Sequence, residues 1–214
     1  MKDLLNSPKP TNLSQWPPAG VKWYFSDDSV AIAHADCREI LPQLPKVDLV
    51  LTDPPYESQH LEYGSSDISF LKPLPCRQLI FWSARDAFPL DYTAKHIWDK
   101  KIGTATQYEM IYERNGGTSY NLYSAYRMNN SLSALWVGDE FLGHPSQKPI
   151  RLLVHLISKF TSKETLILDP FMGSGTTLRA AKNLGRKAIG IEIEEKYCEI
   201  AAKRMAQTVM NMEV

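Results

Sequence analysis

The C-terminal quarter of the chain carries the clearest pattern of apolar and polar positions. Two short apolar runs, TLILD (165–169) and KAIGIE (187–192), have the length and composition of strands that are buried on both faces. Each run is followed by a segment with helical spacing: SGTTLRAAKNLG, which Gly185 would end, and IEEKYCEIAAKRMAQ. This order of strand, helix, strand and helix predicts a βαβ unit, and therefore a parallel sheet that is covered on both faces.

The rest of the chain supplies further strand and helix candidates. Apolar runs of strand length are SVAIAHAD (29–36), KVDLVLTD (46–53), RQLIFWSA (77–84), YEMIYERN (108–115) and the shorter SALWV (133–137). CREILPQL predicts a short helical turn that ends near Pro45, and KPIRLLVHLISKF (148–160) predicts an amphipathic helix. Residues 1–20 are rich in proline and have no regular period, so we expect an N-terminal arm there and a single domain over residues 21–214.

Composition and charge narrow the class of protein. An apolar content of 43% and a charged content of 22% over 214 residues are typical of one globular domain. A net charge of zero argues against a strongly basic coat for nucleic acid but does not exclude a local basic patch. Because no apolar run has the length of a membrane span and the N-terminus lacks the order of a signal peptide, we expect a cytoplasmic protein with no membrane partner. The three scattered cysteines predict reduced thiols, and the histidines have no ligand spacing, so we expect no metal site.

The segment DPFMGSGTT (169–177) lies where a predicted strand turns into a predicted helix. Gly173 and Gly175 would allow the backbone to approach a ligand, and the helix that begins near Thr176 would offer free N–H groups. Glu192 ends the next strand, at the position from which an acid binds ribose hydroxyls in folds of this kind. A tight turn with a surface acid is the simpler alternative. The order of glycine loop, helix, strand and terminal acid along the chain nevertheless favours a site for a nucleoside cofactor.

Two side chains of this loop indicate which nucleoside cofactor it would bind. Asp169 favours a ligand that carries positive charge, such as an amino-acid ammonium, over a pyrophosphate. Phe171 would present its ring face to a sulfonium, which is a cation–π contact. Together they point to S-adenosylmethionine rather than NAD. The loop also lacks the G-x-G-x-x-G pattern that a nicotinamide-dependent oxidoreductase, a rival interpretation, would require.

The run KVDLVLTD ends in a rigid corner made by Asp53, Pro54, Pro55 and Tyr56. Each proline fixes its own φ and restricts the residue before it to extended conformations. The Asp53 carboxylate and the Pro54 carbonyl would therefore be two fixed acceptors for a group with two N–H donors, such as the exocyclic amine of a base. Accepting both hydrogens frees the nitrogen lone pair for attack, and Tyr56 offers a flat face to a base that has left the stack. Alone, the corner is more simply a turn, but with the glycine loop at another strand end it predicts half of a site.

Taken together, these motifs resemble those of the β group of DNA amino-methyltransferases that use S-adenosylmethionine. In that group the D-P-P-Y motif precedes the F-x-G-x-G motif, as residues 53–56 precede residues 171–175 here. GHPSQKP (143–149) is similar to the family's H-P-T-Q-K-P motif. HADCREILPQLPKVDLVLTDPPY and IGIEIEEKYCEIAAKR are similar to the segments that carry its catalytic motif and its second cofactor motif.

The resemblance covers about residues 23–115 and 135–207 and implies both a fold and a site. The fold is the class I methyltransferase fold, a Rossmann-like α/β architecture with a mostly parallel seven-stranded sheet, helices on both faces and a permuted motif order. The residues implied at the target amine are Asp53, Pro54, Pro55 and Tyr56. Those implied at the cofactor are Asp36 and the Cys37 backbone at the adenine, Glu192 at the ribose, Ser146 and Lys148 near the methionyl end, and Asp169, Phe171, Gly173, Gly175 and Thr176 in the glycine loop.

Two departures from the family pattern concern DNA. Only residues 116–133 are free to act as a target-recognition region, which is much smaller than in family members with defined DNA sites. We therefore expect a very short recognition sequence, little sequence reading, or dependence on a partner that supplies specificity. Glu57 stands where a small residue such as glycine is common, which places an acid beside the expected DNA channel.

The resemblance implies a DNA methyltransferase, of a restriction–modification system or a phage, that acts on N6 of adenine. Adenine is favoured because family members that methylate N4 of cytosine more often begin the catalytic motif with serine. Cytosine N4 is the alternative within the class, and RNA or a protein amide also remains, although amide-methylating relatives usually have asparagine at the position of Asp53. Analogy with relatives suggests a homodimer. The rival from another class is a non-catalytic nucleic-acid-binding module, against which the intact Asp53, Tyr56, Gly173 and Glu192 count.

Overall fold

The computed structural model describes residues 15–55, 67–100, 108–117, 120–124 and 147–207. The predicted strand at 133–137 and most of the predicted arm and recognition region lie outside these ranges. The described strands are β1 (Phe25–Ser26), β2 (Val30–His34), β3 (Leu49–Thr52), β4 (Arg77–Trp82), β5 (Ala94–Asp99), β6 (Tyr108–Arg114), β7 (Leu122–Ser124), β8 (Leu166–Asp169) and β9 (Lys187–Glu192). The described helices are α1 (Cys37–Ile40), α2 (Ile150–Phe160), α3 (Thr176–Asn183) and α4 (Glu195–Ala206), with 3₁₀ turns at Leu41–Gln43 and Ser69–Leu71.

These strands form one sheet in the order β1-β2-β9-β8-β3-β4-β6-β5-β7. The five strands from β2 to β4 in this order are parallel. Strand β6 is antiparallel to both of its neighbours, and β1 is antiparallel to β2. The prediction of a mostly parallel α/β sheet is confirmed. The described sheet has nine strands rather than the seven that the resemblance implies, because two short strands, β1 with two residues and β7 with three, extend it at its edges.

Strands β3 and β8 lie side by side in the middle of the sheet and are buried along their whole lengths. Leu49 and Leu51 of β3 belong to the core on one face of the sheet, together with residues of α2 and α3. Val50 belongs to the core on the opposite face. Because both faces of these strands are covered, their sequences are continuous apolar runs rather than alternating ones.

Helix α3, which follows the glycine loop, has a glycine at each end. Gly175 precedes its first residue with φ 77°, and Gly185 follows its last turn with φ 66°. The Gly185 N–H donates to the Lys182 carbonyl at 3.0 Å, and the Arg186 N–H donates to the Ala181 carbonyl at 2.9 Å. These are the two bonds of a Schellman motif, so the predicted role of Gly185 at the end of this helix is confirmed.

Strand β5 has no counterpart among the predicted strands. His96 and Trp98 are buried in it, whereas Lys95 and Ile97 are exposed. A polar residue therefore stands at an inward position and an apolar residue at an outward one. This inversion breaks the alternation that would have identified the strand in the sequence.

Candidate functional site

The glycine loop and the proline corner at residues 53–56 lie side by side, at the carboxyl ends of β8 and β3. The chain leaves β8 toward β9 on one side, and β3 is followed by β4 on the other, so these neighbouring strand ends lie at the point where the strand order reverses. Asp169 ends β8, and Asp53 follows Thr52 at the end of β3. The Thr52 hydroxyl donates a hydrogen bond to Asp169 Oδ1 at 2.7 Å. This bond joins the strand that carries the proline corner directly to the glycine loop.

The Asp169 carboxylate is buried and fixed by its neighbours. In addition to the bond from Thr52, the Phe171 N–H donates to Oδ1 at 3.2 Å, and the Thr177 hydroxyl donates to the same carboxylate. Burial raises the pKa of Asp169 to about 6, although these hydrogen bonds act to lower it. At neutral pH the group is therefore mostly ionised, and it can stabilise a cation such as an ammonium.

The glycine loop closes onto Glu192 at the end of β9. The Gly173 N–H donates to Glu192 Oε2 at 3.0 Å, and the Glu194 N–H donates to Oε1 at 2.9 Å. The Ile193 N–H also donates to this carboxylate, which can accept about four hydrogen bonds in all, so an acceptor position is left for a ligand. Burial raises the pKa of Glu192. A fixed acid with both oxygens oriented by the backbone suits two neighbouring hydroxyl donors, as on a ribose.

Gly175 and Thr176 contact helix α4. A Cβ added at Gly175 would lie 2.9 Å from the Cβ of Ala201. The Thr176 hydroxyl oxygen accepts from Arg204 Nη1 at 3.0 Å, and the same nitrogen donates to the Ser174 carbonyl at 3.1 Å. The absence of a side chain at Gly175 therefore serves close packing of the loop on α4. A cofactor contact by these two residues stays a prediction.

Asp36 and Cys37 follow β2, whose last residue, His34, lies opposite Glu192. The Asp36 side chain caps helix α1 by accepting from the Arg38 N–H at 2.9 Å, and the Arg38 guanidinium binds both of its oxygens. The Cys37 thiol is buried, and burial raises its pKa to about 11, so it is a neutral core group. Of Cys37, the backbone is the part that fits the predicted adenine contact.

The ring of Phe171 packs at the base of the glycine loop. It lies 5.9 Å from the ring of Phe70, measured between centroids, with an angle of 46° between the planes. It also borders two of the hydrophobic core clusters and is half-buried. The ring is thus held in place by core packing, and its contact with a sulfonium stays a prediction.

A lysine holds Asp53 in the proline corner. Lys148 Nζ forms an ion pair with Asp53 Oδ2 and lies 3.2 Å from Glu109 Oε2. The other oxygen, Asp53 Oδ1, is buried and has no hydrogen-bond partner among the residues that the structure describes. Burial raises the pKa of Asp53 more than the charge of Lys148 lowers it. Because a buried acceptor without a donor is costly, Oδ1 marks a place where a ligand could donate an N–H.

Five more of the predicted site residues belong to the proline corner or to the segment before α2. Pro54 is buried and Pro55 is half-buried. Tyr56 and Ser146 lie outside the described residues, so their roles stay predictions. Lys148 contacts Asp53 and Glu109, and its predicted place near the methionyl end of a cofactor stays a prediction.

Glu109 and Lys100 belong to the site although the motifs of the sequence do not include them. Lys100 Nζ forms an ion pair with Glu109 Oε1, and both side chains are largely buried. A signal for Glu109 was present in β6, because Glu109, Ile111 and Glu113 alternate along one face of that strand. An acid on the same face as a core isoleucine requires a partner, and that partner, Lys100, directly follows β5, a strand that the sequence did not reveal.

Among the described residues, no group of three or more histidine, cysteine, aspartate or glutamate side chains could hold a metal ion. No helix in that part of the chain is both long and apolar enough to span a bilayer.

Comparison with known sequences identifies relatives of this chain. The sequence model of the N6_N4_Mtase family, described as DNA methylase, matches residues 77–203. The type II methyltransferase M2.LlaDCHI of Lactococcus lactis subsp. cremoris is 41% identical over 107 residues, which are 50% of this chain and 38% of that protein. The type II methyltransferase M2.DpnII of Streptococcus pneumoniae is 39% identical over 107 residues, again 50% of this chain and 38% of that protein. The chain thus spans about two fifths of the length of these curated relatives.

Solved structures share the fold. The crystal structure of the M1.HpyAVI–SAM complex has a TM-score of 0.60 and 28% sequence identity, and the match covers 83% of this chain and 100% of that one. The cytosine-N4-specific PvuII DNA methyltransferase has a TM-score of 0.67, with 89% of this chain and 91% of that chain covered. At 17% identity the second likeness concerns the fold alone. The predicted class I methyltransferase fold is confirmed.

Proposed function

Because the chain belongs to the N6/N4 family of DNA methylases, we propose that it transfers a methyl group from S-adenosylmethionine to the N6 amine of adenine in DNA. The observation that carries the proposal is the bond from Thr52 to Asp169, which holds the amine-binding corner against the glycine loop. Catalysis of transfer between two bound molecules depends first on such positioning.

The cofactor half of the site comprises Asp169, Glu192 and the glycine loop. Asp169 would hold the ammonium of the methionyl part, and Glu192, fixed by the N–H groups of Gly173 and Glu194, would accept from the ribose hydroxyls. When bound, S-adenosylmethionine supplies a methyl group activated by a positively charged sulfur. The buried acid and the fixed backbone amides fit this ligand better than they fit a pyrophosphate, which carries negative charge.

The amine half of the site is the corner at residues 53–56. Asp53 Oδ1 is a buried acceptor without a donor, and the neighbouring carbonyl of Pro54 is fixed by the two prolines. Together they would accept both hydrogens of an exocyclic amine and direct its lone pair toward the methyl group. The nitrogen would form the new N–C bond as the S–C bond of the bound cofactor breaks, with the bonding pair left on sulfur. The nitrogen would then release one proton, for which Asp53 Oδ1 would be the acceptor.

The choice of adenine rests on Asp53 as the first residue of the corner. Family members that act on cytosine N4 more often have serine there, so cytosine N4 is the second candidate for the target base. By analogy with relatives, the proposal also includes a homodimer. The reading of a DNA sequence, alone or with a partner that supplies specificity, is likewise proposed by analogy.

A labelling experiment tests the proposed reaction. The protein is incubated with unmethylated DNA and S-adenosylmethionine that carries a labelled methyl group, and the DNA is digested to nucleosides that are separated and identified. We expect the label in N6-methyladenine. Label in N4-methylcytosine would move the target to the second candidate, and label in a parallel RNA sample but not in DNA would move the substrate class. A wild-type protein that binds the cofactor but labels neither nucleic acid would contradict the proposal.

A further inference from the structure

Four charged side chains form an alternating chain at the edge of the sheet where the proposed reaction takes place. Asp53 is paired with Lys148, Lys148 with Glu109, and Glu109 with Lys100. The residues come from the ends of β3 and β5, the start of β6 and the segment before α2. Two acids and two lysines give this group no net charge, so it can be buried without leaving a charge uncompensated.

The ammonium of Lys148 contacts two carboxylates and lies near two aromatic rings. Its side chain is 7% exposed, and its ammonium lies between the carboxylates of Asp53 and Glu109. The same nitrogen lies 5.2 Å from the ring centroid of Phe81 and 6.0 Å from that of Trp98. These rings contact one another edge to face at 6.1 Å, and Lys100 Nζ lies 5.2 Å from Trp98. Cation–π contacts and two carboxylates therefore restrict where the ammonium can lie.

We propose that Lys148 and Glu109 are positioning residues of the methyl-transfer site: Glu109 holds the Lys148 ammonium, which binds one Asp53 oxygen and leaves the other for the target amine. The inference rests on the proposed function, since it concerns how Asp53 receives the amine. It differs from the interpretation in which Lys148 contacts the methionyl end of the cofactor.

The geometry at Asp53 favours this assignment. Lys148 binds Oδ2, while Oδ1 has no partner in the described part of the chain, so the two oxygens of one carboxylate have different tasks. Without Lys148 the carboxylate could rotate, and a buried acid would lack its only cation at ion-pair distance among the described residues. Without Glu109, Lys148 would be held by Asp53 and the aromatic rings but not by a second carboxylate.

The charges predict opposite effects for two substitutions. The groups that act electrostatically on Asp53 are Lys148, Glu109 and Lys100, and Asp169 is a further acid whose pKa Asp53 raises. Removing the Lys148 charge raises the pKa of Asp53, because Lys148 lowers it in the intact protein. Removing the Glu109 charge lowers that pKa, because Glu109 raises it. A role confined to packing would give no such pair of opposite shifts.

The variants for the test are K148Q and E109Q, with E113Q as the matched control. Glu113 is a buried acid on the same face of β6 but four residues further along, roughly 13 Å away at strand spacing, and it is paired with Arg77 and His96. E113Q therefore removes a buried charge from the same strand without touching the group at Asp53. K203Q is an additional control for loss of an exposed lysine, since Lys203 forms a surface pair with Glu199.

Asp53 can be titrated independently of turnover by NMR of protein with ¹³C-labelled aspartate side chains, in which D53N identifies its signal. We expect the pKa of Asp53 to move upward in K148Q and downward in E109Q, each by roughly one unit, and to stay unchanged in E113Q and K203Q. E109Q retains the pair between Lys148 and Asp53. If K148Q does not fold, the downward shift of the Asp53 pKa in E109Q is therefore the deciding measurement, and an upward shift would overturn the inference.

Kinetics and cofactor binding complete the experiment. We expect K148Q to lower kcat by about 100-fold and E109Q by less, with the affinity for S-adenosylmethionine, measured by calorimetry, within about twofold of wild type. A large loss of cofactor affinity in K148Q, with an unchanged pKa of Asp53, would overturn the inference and favour the methionyl contact. Shifts of the same sign in K148Q and E109Q would also overturn it. Failure of the wild-type protein to label DNA is a separate result that would contradict the proposed function, because the titration does not depend on transfer.

Discussion

Three acids at neighbouring strand ends have different surroundings and therefore different uses. Asp53 keeps one oxygen bound by Lys148 and one oxygen without a described partner. Asp169 accepts from hydroxyls and a backbone amide, and Glu192 accepts from backbone amides alone. These surroundings suit an amine, an ammonium and a pair of hydroxyls, respectively. At this scale the chemistry follows from which donors each carboxylate already has.

The raised pKa of Asp169 predicts a pH dependence of cofactor binding. Burial raises this pKa to about 6, so the carboxyl becomes protonated as the pH falls below that value and no longer attracts an ammonium. We expect the affinity for S-adenosylmethionine to fall as the pH decreases through about 6 and to be level above pH 7. In D169N the affinity should be lower, and its fall with decreasing pH should be reduced to the part contributed by Glu192, whose pKa burial also raises. Calorimetric titrations from pH 5 to 8 would measure both, and an unchanged pH profile in D169N would refute the assignment.

The same group affects the free energy of unfolding in the opposite direction. An aspartate has an ordinary pKa of about 4, so the folded protein binds a proton at Asp169 more tightly than the unfolded chain does. The stabilising contribution of the protonated form is therefore present below pH 4 and is lost as the pH rises through about 6. Cofactor binding and fold stability thus respond to this carboxyl with opposite signs.

At the scale of elements, the glycine loop and helices α3 and α4 form one packed unit. Gly175 lies against Ala201 of α4, and Arg204 of the same helix donates to Ser174 and Thr176 at the start of α3. The glycine pattern of the loop therefore has two causes. Gly173 turns its N–H toward Glu192, whereas Gly175 makes room for a helix.

A pair of glycine substitutions separates backbone strain from packing at this unit. G175A places a Cβ 2.9 Å from Ala201 at φ 77°, whereas G185A has φ 66° and nothing within 4 Å of its added Cβ. We expect G185A to lower the free energy of unfolding by about 1 kcal/mol, from the left-handed backbone alone. G175A should lower it by about 2 to 4 kcal/mol, because overpacking adds to the same strain. Chemical denaturation measures both, and equal losses would contradict the role of Gly175 in packing on α4.

The elements differ in how far the sequence predicted them. The runs at 187–192 and 165–169 became strands at or within one residue of the predicted bounds, because continuous apolar runs leave few alternatives in a covered sheet. Strand β5 was missed because its inward face carries His96, and with it the position of Lys100 was missed. The ion pairs of Glu109 could not be derived from sequence, since they join residues of β6 to a strand and a loop whose positions depend on the whole sheet.

At the scale of the whole molecule, the order of the chain separates two motifs that the sheet places side by side. Strand β3 comes early in the chain and β8 late, yet they are neighbours in the sheet and share the bond between Thr52 and Asp169. The sequence predicted that the proline corner and the glycine loop would both lie at the carboxyl edge of a parallel sheet, because sites in such sheets gather there. It could not supply the strand order that makes them adjacent. The resemblance to amino-methyltransferases implied that adjacency, and the sheet has it.

The central claim is that this edge of the sheet has two separable halves, one for the cofactor and one for the amine. The most direct test is to measure methyl transfer to DNA and S-adenosylmethionine binding on the same preparation of D53A. We expect transfer to fall by at least about 100-fold, because the acceptor for the amine is lost. The cofactor affinity should stay within about twofold of wild type, because Asp169 and Glu192 are intact. A loss of cofactor affinity comparable with the loss of transfer, or transfer that persists without Asp53, would contradict the account.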